Sequence, residues 1–178
     1  KFTKKYLMSN FLNSEDFSKE LSKVIYNPIN PKLIITVGCG GSHSLASHFT
    51  AELIGTYIDR KRIPYPSLTM FADQSTTSAI SNDFSFGEVP QRFLKGFEKI
   101  PSILVAFTTS GKSPVIVNSL KSAKENNMQT FLLTGSNKAV PSIKYSDYVF
   151  TSPFETVSKV QENHLCMIHL ICERLEQK

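Results

Sequence analysis

An apolar run that breaks into glycines and restarts as a helix has few places to go in a folded chain, and Leu33–Gly55, LIITVGCGGSHSLASHFTAELIG, is such a stretch. Leu33, Ile34, Ile35 and Val37 make a short, largely β-branched apolar run, the composition of a parallel strand covered on both faces. Gly38, Gly40 and Gly41 permit positive φ and close backbone approach to a ligand, and Ser42 is placed to cap the following helix. Such a turn leaves N–H groups free at the carboxyl end of a strand, where open α/β sheets bind their ligands. The pattern predicts a small-molecule site here.

Four further strands are predicted: Ser67–Phe71, Ser102–Phe107, Gln129–Thr134 and Tyr148–Thr151. The first of these is followed by Ala72–Thr77, with a carboxylate and hydroxyls, and the next two run into Thr108–Pro114 and Thr134–Ser136. Helical spacing is predicted over Ser14–Ile25 with Ser14 as N-cap, Ile80–Phe86, Glu88–Phe97, Pro114–Lys124 and about Thr156–Leu175. Arg60, Lys61 and Arg62, in the loop Asp59–Pro66, read as a solvated turn. Strands alternating with helices, joined by right-handed crossovers, imply an α/β fold: a three-layer α/β/α sandwich with a five-stranded parallel sheet.

The 178 residues, 40% of them hydrophobic, suffice for one core, so residues 1–178 read as one domain with an N-terminal packing helix at about 14–25. The net charge of +5 and pI near 9.1 are mild. Lys and Arg are scattered rather than striped with aromatics, which argues against a nucleic-acid partner and weakly favours a phosphorylated ligand. Cys39, Cys166 and Cys172 form neither an even framework nor a CxxC pair, pointing to a reduced, cytoplasmic setting. No run is long enough to span a bilayer, so no membrane partner is expected. The N-terminal KFTKKYLMSNFLNSEDF lacks the apolar segment of a signal peptide, and a start at Lys1 leaves room for residues before it.

Three constellations carry chemistry. Thr108, Thr109, Ser110 and Ser113 gather hydroxyls around Gly111 at the start of a helix, donors and a macrodipole suited to a phosphate monoester. An ordinary capped turn is the plainer alternative. A P-loop is excluded because the glycine it needs upstream of Gly-Lys-Ser is missing. A dinucleotide fingerprint fits poorly, since His43 replaces the third glycine and Asp59 falls beyond the helix. His48 and Glu52, four apart, share a helix face and can meet a common metal or proton, or can be a satisfied structural pair. On the last helix Gln161, Glu162, His164 and His169 are candidates. Gln161 and His169 are eight apart, about 80° off one face and about 12 Å apart along the axis, and spacing does not select them over His164.

Five stretches together carry a resemblance: GCGGS at Gly38, HFTAELIG at His48, ISNDFSF at Ile80, TTSGKSP at Thr108 and VQENHLCMIH at Val160. In this order they resemble the sugar isomerase (SIS) domain family and, within it, the phosphoheptose isomerases, from Lys32 to the end. The resemblance implies a flavodoxin-like fold and a homotetramer with active sites between subunits. It also implies aldose–ketose isomerisation of sedoheptulose 7-phosphate to D-glycero-D-manno-heptose 7-phosphate through an enediol, for lipopolysaccharide or capsule synthesis. By position, Glu52 and His169 match the family's acid/base residues, and His48, Glu52, Gln161 and His169 its zinc ligands. Ser42, Thr109, Ser110 and Ser113 match phosphate-binding hydroxyls and Asp83 an acidic residue near the sugar. Gly40, Gly41, Thr108 and Gln161 complete the expected substrate contacts.

The chain departs from the family at four positions. Cys39 stands where Asn is usual, Thr108 where Ser is, Thr56 where many relatives have Arg, and Ser158 where an Asp or another polar residue usually contacts sugar hydroxyls. These changes spare the isomerase machinery and bear on the identity of the sugar. Two other classes compete: a non-catalytic SIS protein similar to the DnaA initiator-associating protein, and a sugar-phosphate sensor. The former lacks the catalytic Glu and terminal His, both of which this chain has.

Overall fold

The computed structural model describes residues 11–27 and 29–177. The N-terminal segment 1–10, for which no signal peptide is expected, and Pro28 of the first loop lie outside the described residues. Six strands form one parallel sheet: β1 (Phe11–Leu12), β2 (Leu33–Val37), β3 (Ser67–Thr69), β4 (Ser102–Phe107), β5 (Gln129–Thr134) and β6 (Tyr148–Thr151), in the order β1-β6-β5-β4-β2-β3. The expected five strands are all present and β1 is the addition. It pairs Phe11 with Val149 and Leu12 with Phe150 along the open edge of β6. Two residues carry no periodicity, so only the unpaired edge of the neighbouring strand creates this element.

Side chains alternate across the sheet. Ile34, Ile103, Val105 and Phe131 enter one core, and Ile35, Leu104, Ala106 and Leu132 enter the other. The first is covered by α1 (Ser14–Ile25), α2 (Gly41–Ile54) and α6 (Val157–Glu176), and the second by α4 (Val89–Lys95) and α5 (Pro114–Glu125). Helix α6 packs against both α1 and α2, which brings the two candidate helices side by side. Among the described residues, no helix is long and apolar enough to cross a membrane.

Several local expectations are corrected. Asn13, not Ser14, caps α1, its side chain accepting from Asp16 N at 2.8 Å. Strand β3 stops at Thr69, and Phe71 turns to φ 69°. Helix α3 occupies Gln74–Asp83 rather than Ile80–Phe86. Asp73 explains the shift: its carboxylate accepts from Ser75 N and Thr76 N at 3.0 and 3.2 Å, so this carboxylate starts a helix that has little apolar periodicity.

Candidate active site

The chain leaves β2 outward to β3 and returns to β4 on the other side of β2, so the carboxyl ends of β2 and β4 border a topological switch point. Both turns predicted to bind a ligand lie there, and they meet where the Cys39 thiol stands 4.0 Å from Ser113 Oγ. Gly40 holds the N-cap position of α2 at φ +57°. Ser42 therefore does not cap the helix: it is the second residue of the first turn and is buried, 4% exposed. At Gly41 a Cβ would sit 2.5 Å from Gln161 Nε2, so the missing side chain is what lets the Gln161 amide lie over the start of α2.

In the turn after β4 the hydroxyls divide. Thr108 is buried and its Oγ1 accepts from Gly111 N at 3.1 Å, so it shapes the turn. Thr109 is half-buried, and Ser110 is exposed with Oγ accepting from Lys112 N at 3.2 Å. Ser113 occupies the N-cap of α5 without a side-chain capping bond, and Pro114 opens the helix. The crevice thus combines two helix N-termini with Ser and Thr hydroxyls, an arrangement suited to an anion. Burial pushes the Cys39 thiol up, more than its contact with Ser113 lowers it.

The second cluster lies further along α2 and α6. His48 Nε2 is 3.3 Å from His169 Nε2 and 3.6 Å from Glu52 Oε1. The imidazole rings meet edge-on, centroids 5.5 Å apart at 70°. Glu52 Oε2 is buried and has no hydrogen-bond partner. A carboxylate oxygen desolvated and unpaired beside two imidazoles is an arrangement that accepts or delivers a proton.

Of the residues expected at the site, the structure brings His48, Glu52 and His169 together in one place and Gly40, Gly41, Ser42, Thr109, Ser110, Ser113 and Gln161 at the switch point. Gln161 lies eight residues of helix, about 12 Å along the axis, from His169, and its amide rests on Gly41. Asp83 is exposed at the end of α3, its carboxylate accepting from Asn82 Nδ2 at 3.1 Å. His164 faces the core, fully buried between Phe107 and Phe150, with Nε2 3.2 Å from Thr134 O. Burial pushes its pKa down to about 4, so it is a neutral packing residue. Thr56 and Ser158 are exposed.

Three residues near the cluster carried no sequence signal. The Tyr57 ring lies 5.6 Å from that of His169 at 31°. Cys172 is buried, and that burial, with the Glu52 carboxylate adding to it, pushes its thiol up to about 12. Arg62, expected on a solvated turn, has a side chain only 9% exposed. The charge run Arg60–Arg62 hid the one member that folds inward.

The donor chemistry fits zinc. With Zn–N bonds of roughly 2.0–2.1 Å, a tetrahedral shell has an N···N edge of about 3.4 Å, close to the observed imidazole pair, and the orphaned Glu52 oxygen is a further donor. Among the described residues no three His, Cys, Asp or Glu side chains form a ready-made cage.

Comparison with known proteins bears on the whole arrangement. The SIS domain family pattern matches residues 12–135. A phosphoheptose isomerase of Sulfurimonas denitrificans is 33% identical over 174 residues, covering 97% of this chain and 87% of that protein. One from Bordetella avium is 32% identical, covering 80% and 73%. The solved structure of a phosphoheptose isomerase from Neisseria gonorrhoeae superposes with a TM-score of 0.79 at 25% identity, over 93% of this chain and 85% of that one.

Proposed function

This chain belongs to the SIS domain family and, within it, to the phosphoheptose isomerases, and from that membership we propose that it interconverts sedoheptulose 7-phosphate and D-glycero-D-manno-heptose 7-phosphate. The observation that supports the reading most is the convergence of His48, Glu52 and His169 below a hydroxyl-lined crevice. Ser42 and His48 are six residues apart, about 9 Å of helix rise, so one end of a phosphorylated sugar is held while the other reaches the imidazoles.

In this reading Thr109, Ser110 and Ser113, with Ser42 and the amides of Gly40 and Gly41, hold the phosphate, and Thr108 keeps their turn in shape. Gln161 and Asp83 face sugar hydroxyls. One of Glu52 and His169 removes the proton from the carbon next to the carbonyl, and the other delivers a proton, so that an enediol forms and collapses to the isomer. His48 holds His169 through the facing nitrogens. Zinc, held by His48, Glu52, Gln161 and His169, would polarise the carbonyl and hydroxyl oxygens. A Glu52 that binds metal is a weaker base, so the two uses of this carboxylate compete.

We further propose a homotetramer with active sites between subunits, acting in the cytoplasm in heptose supply for lipopolysaccharide or capsule. Exposed Ile54, Ile58 and Ile63, 47%, 73% and 82% accessible and close to the helix end that follows Glu52, support a covered surface there. The test is incubation with sedoheptulose 7-phosphate and detection of the aldose 7-phosphate by NMR, before and after metal removal. Product formation that falls on chelation and returns with zinc is expected. Absence of product refutes the isomerase reading, and an unchanged rate after verified metal removal refutes the zinc.

A further inference from the structure

The loop after α2 is held by two nearly buried charges. The Arg62 and Glu176 side chains are each 9% exposed, with Nε 3.5 Å from Oε1. The Arg62 guanidinium also donates to the carbonyls of Glu52, Leu53 and Gly55 at 2.6, 3.1 and 3.2 Å. It thereby closes the last turn of α2, where carbonyls lack helical partners and positive charge is favoured. Glu176, the last residue of α6, accepts from three successive backbone N–H groups, Tyr57 at 3.2 Å and Ile58 and Asp59 at 3.1 Å. Burial opposes ionisation of Glu176, but those donors and Arg62 outweigh it and hold the group below the usual carboxylate range. One ion pair therefore ties the end of the helix carrying Glu52 to the end of the helix carrying His169.

The tied segment delivers Tyr57. Its ring lies 5.6 Å from the His169 ring, and its hydroxyl is 3.4 Å from Glu173 Oε1. His169 is thus flanked by Tyr57 and by His48, which limits the orientations its imidazole can take. None of Arg62, Glu176 and Tyr57 was assigned a part in the chemistry above.

We propose that the Arg62–Glu176 clasp fixes Tyr57 against the His169 imidazole and so sets the geometry between His169 and Glu52. All three are positioning residues for the isomerisation proposed above, and the inference rests on that reading. Tyr57→Leu removes the aromatic face but keeps an apolar side chain. It should lower kcat about tenfold or more with KM within about twofold, because a misplacement of about 1 Å can cost roughly a hundredfold. Tyr57→Phe, which keeps the ring, should restore most of the rate. Wild-type kcat in Tyr57→Leu would overturn the proposal.

A second readout needs no turnover. The His169 ring-proton NMR signals, identified by their loss in His169→Asn, should shift in Tyr57→Leu and shift in the same direction in Glu176→Gln. Unmoved signals in a folded Glu176→Gln would break the link between clasp and ring and overturn the proposal, and if that variant does not fold, Tyr57→Leu still decides. A wild-type protein that fails to isomerise the sugar phosphate would refute the functional reading instead, and the NMR shifts would then judge the clasp alone.

Discussion

The two halves of the candidate site are built differently. The crevice at the ends of β2 and β4 is made of turns, short hydroxyl side chains and helix starts, each contributed by a contiguous stretch such as Thr108–Ser113. The candidate acid/base cluster is made of side chains from two helices, with His48 and His169 separated by 121 residues and joined at 3.3 Å. Local sequence is enough to make an anion turn. A pair of facing imidazoles requires that α2 and α6 pack in one register, so the second half depends on the first core of the protein.

That contrast predicts different failures. The largest effect is expected at the helices: Glu52→Gln or His169→Ala should lower interconversion by about a thousandfold or more, at the upper range for loss of a general acid or base, while leaving phosphate binding in place. Steady-state kinetics alongside calorimetric titration with inorganic phosphate would check both halves at once, and near-normal turnover would break the division.

Two histidines on α6 sharpen it further. His169 is half-buried and paired, whereas His164 is fully buried and neutral, with a pKa near 4 in the folded state against 6.5 for the free side chain. Between those values the unfolded chain binds the proton and the folded chain does not, so the contribution of His164 is fully present above pH 6.5 and is lost as pH falls toward 4. The loss should reach about 3 kcal/mol, measurable by urea unfolding at pH 7 and pH 4.5. A volume-matched His164→Leu variant should flatten part of that slope, and an unchanged slope would remove His164 as its cause.

A smaller effect is expected in the crevice. Ser113→Ala deletes one hydroxyl among several and should raise KM about tenfold with little change in kcat, as one hydrogen bond to a charged group is worth about 1.5–3 kcal/mol. Smallest of all is Cys39→Asn, which replaces a thiol whose contact with Ser113 is a weak 4.0 Å approach. KM should change less than about threefold, since substitutions away from strong contacts usually stay within about 0.5 kcal/mol. A large loss would make Cys39 a substrate contact.

Much of this organisation was legible because the sequence repeats a local pattern. Strands β4, β5 and β6 have the predicted bounds, since continuous apolar runs bounded by turn residues leave little choice. Strand β1 was not legible, because two residues are ordered only by the edge of β6. Asp73 capped a polar helix that apolar spacing could not announce. The resemblance to a family nominated His169, which spacing could not separate from His164, and the structure separates them by burial: five residues of helix turn one inward and leave the other beside His48. Arg62 and Tyr57 were illegible because a charge run and a loop tyrosine look solvated until the partner on α6, Glu176, is in place.

The central claim is that Glu52, presented by α2 to His48 and His169, exchanges a substrate proton. It is tested most directly by incubating sedoheptulose 7-phosphate in D₂O with the wild-type protein and with Glu52→Gln, and measuring deuterium at the carbon next to the carbonyl. Incorporation by the wild type and none above the buffer rate by the variant is the predicted result. Equal incorporation by both, or none by the wild type, would contradict the account.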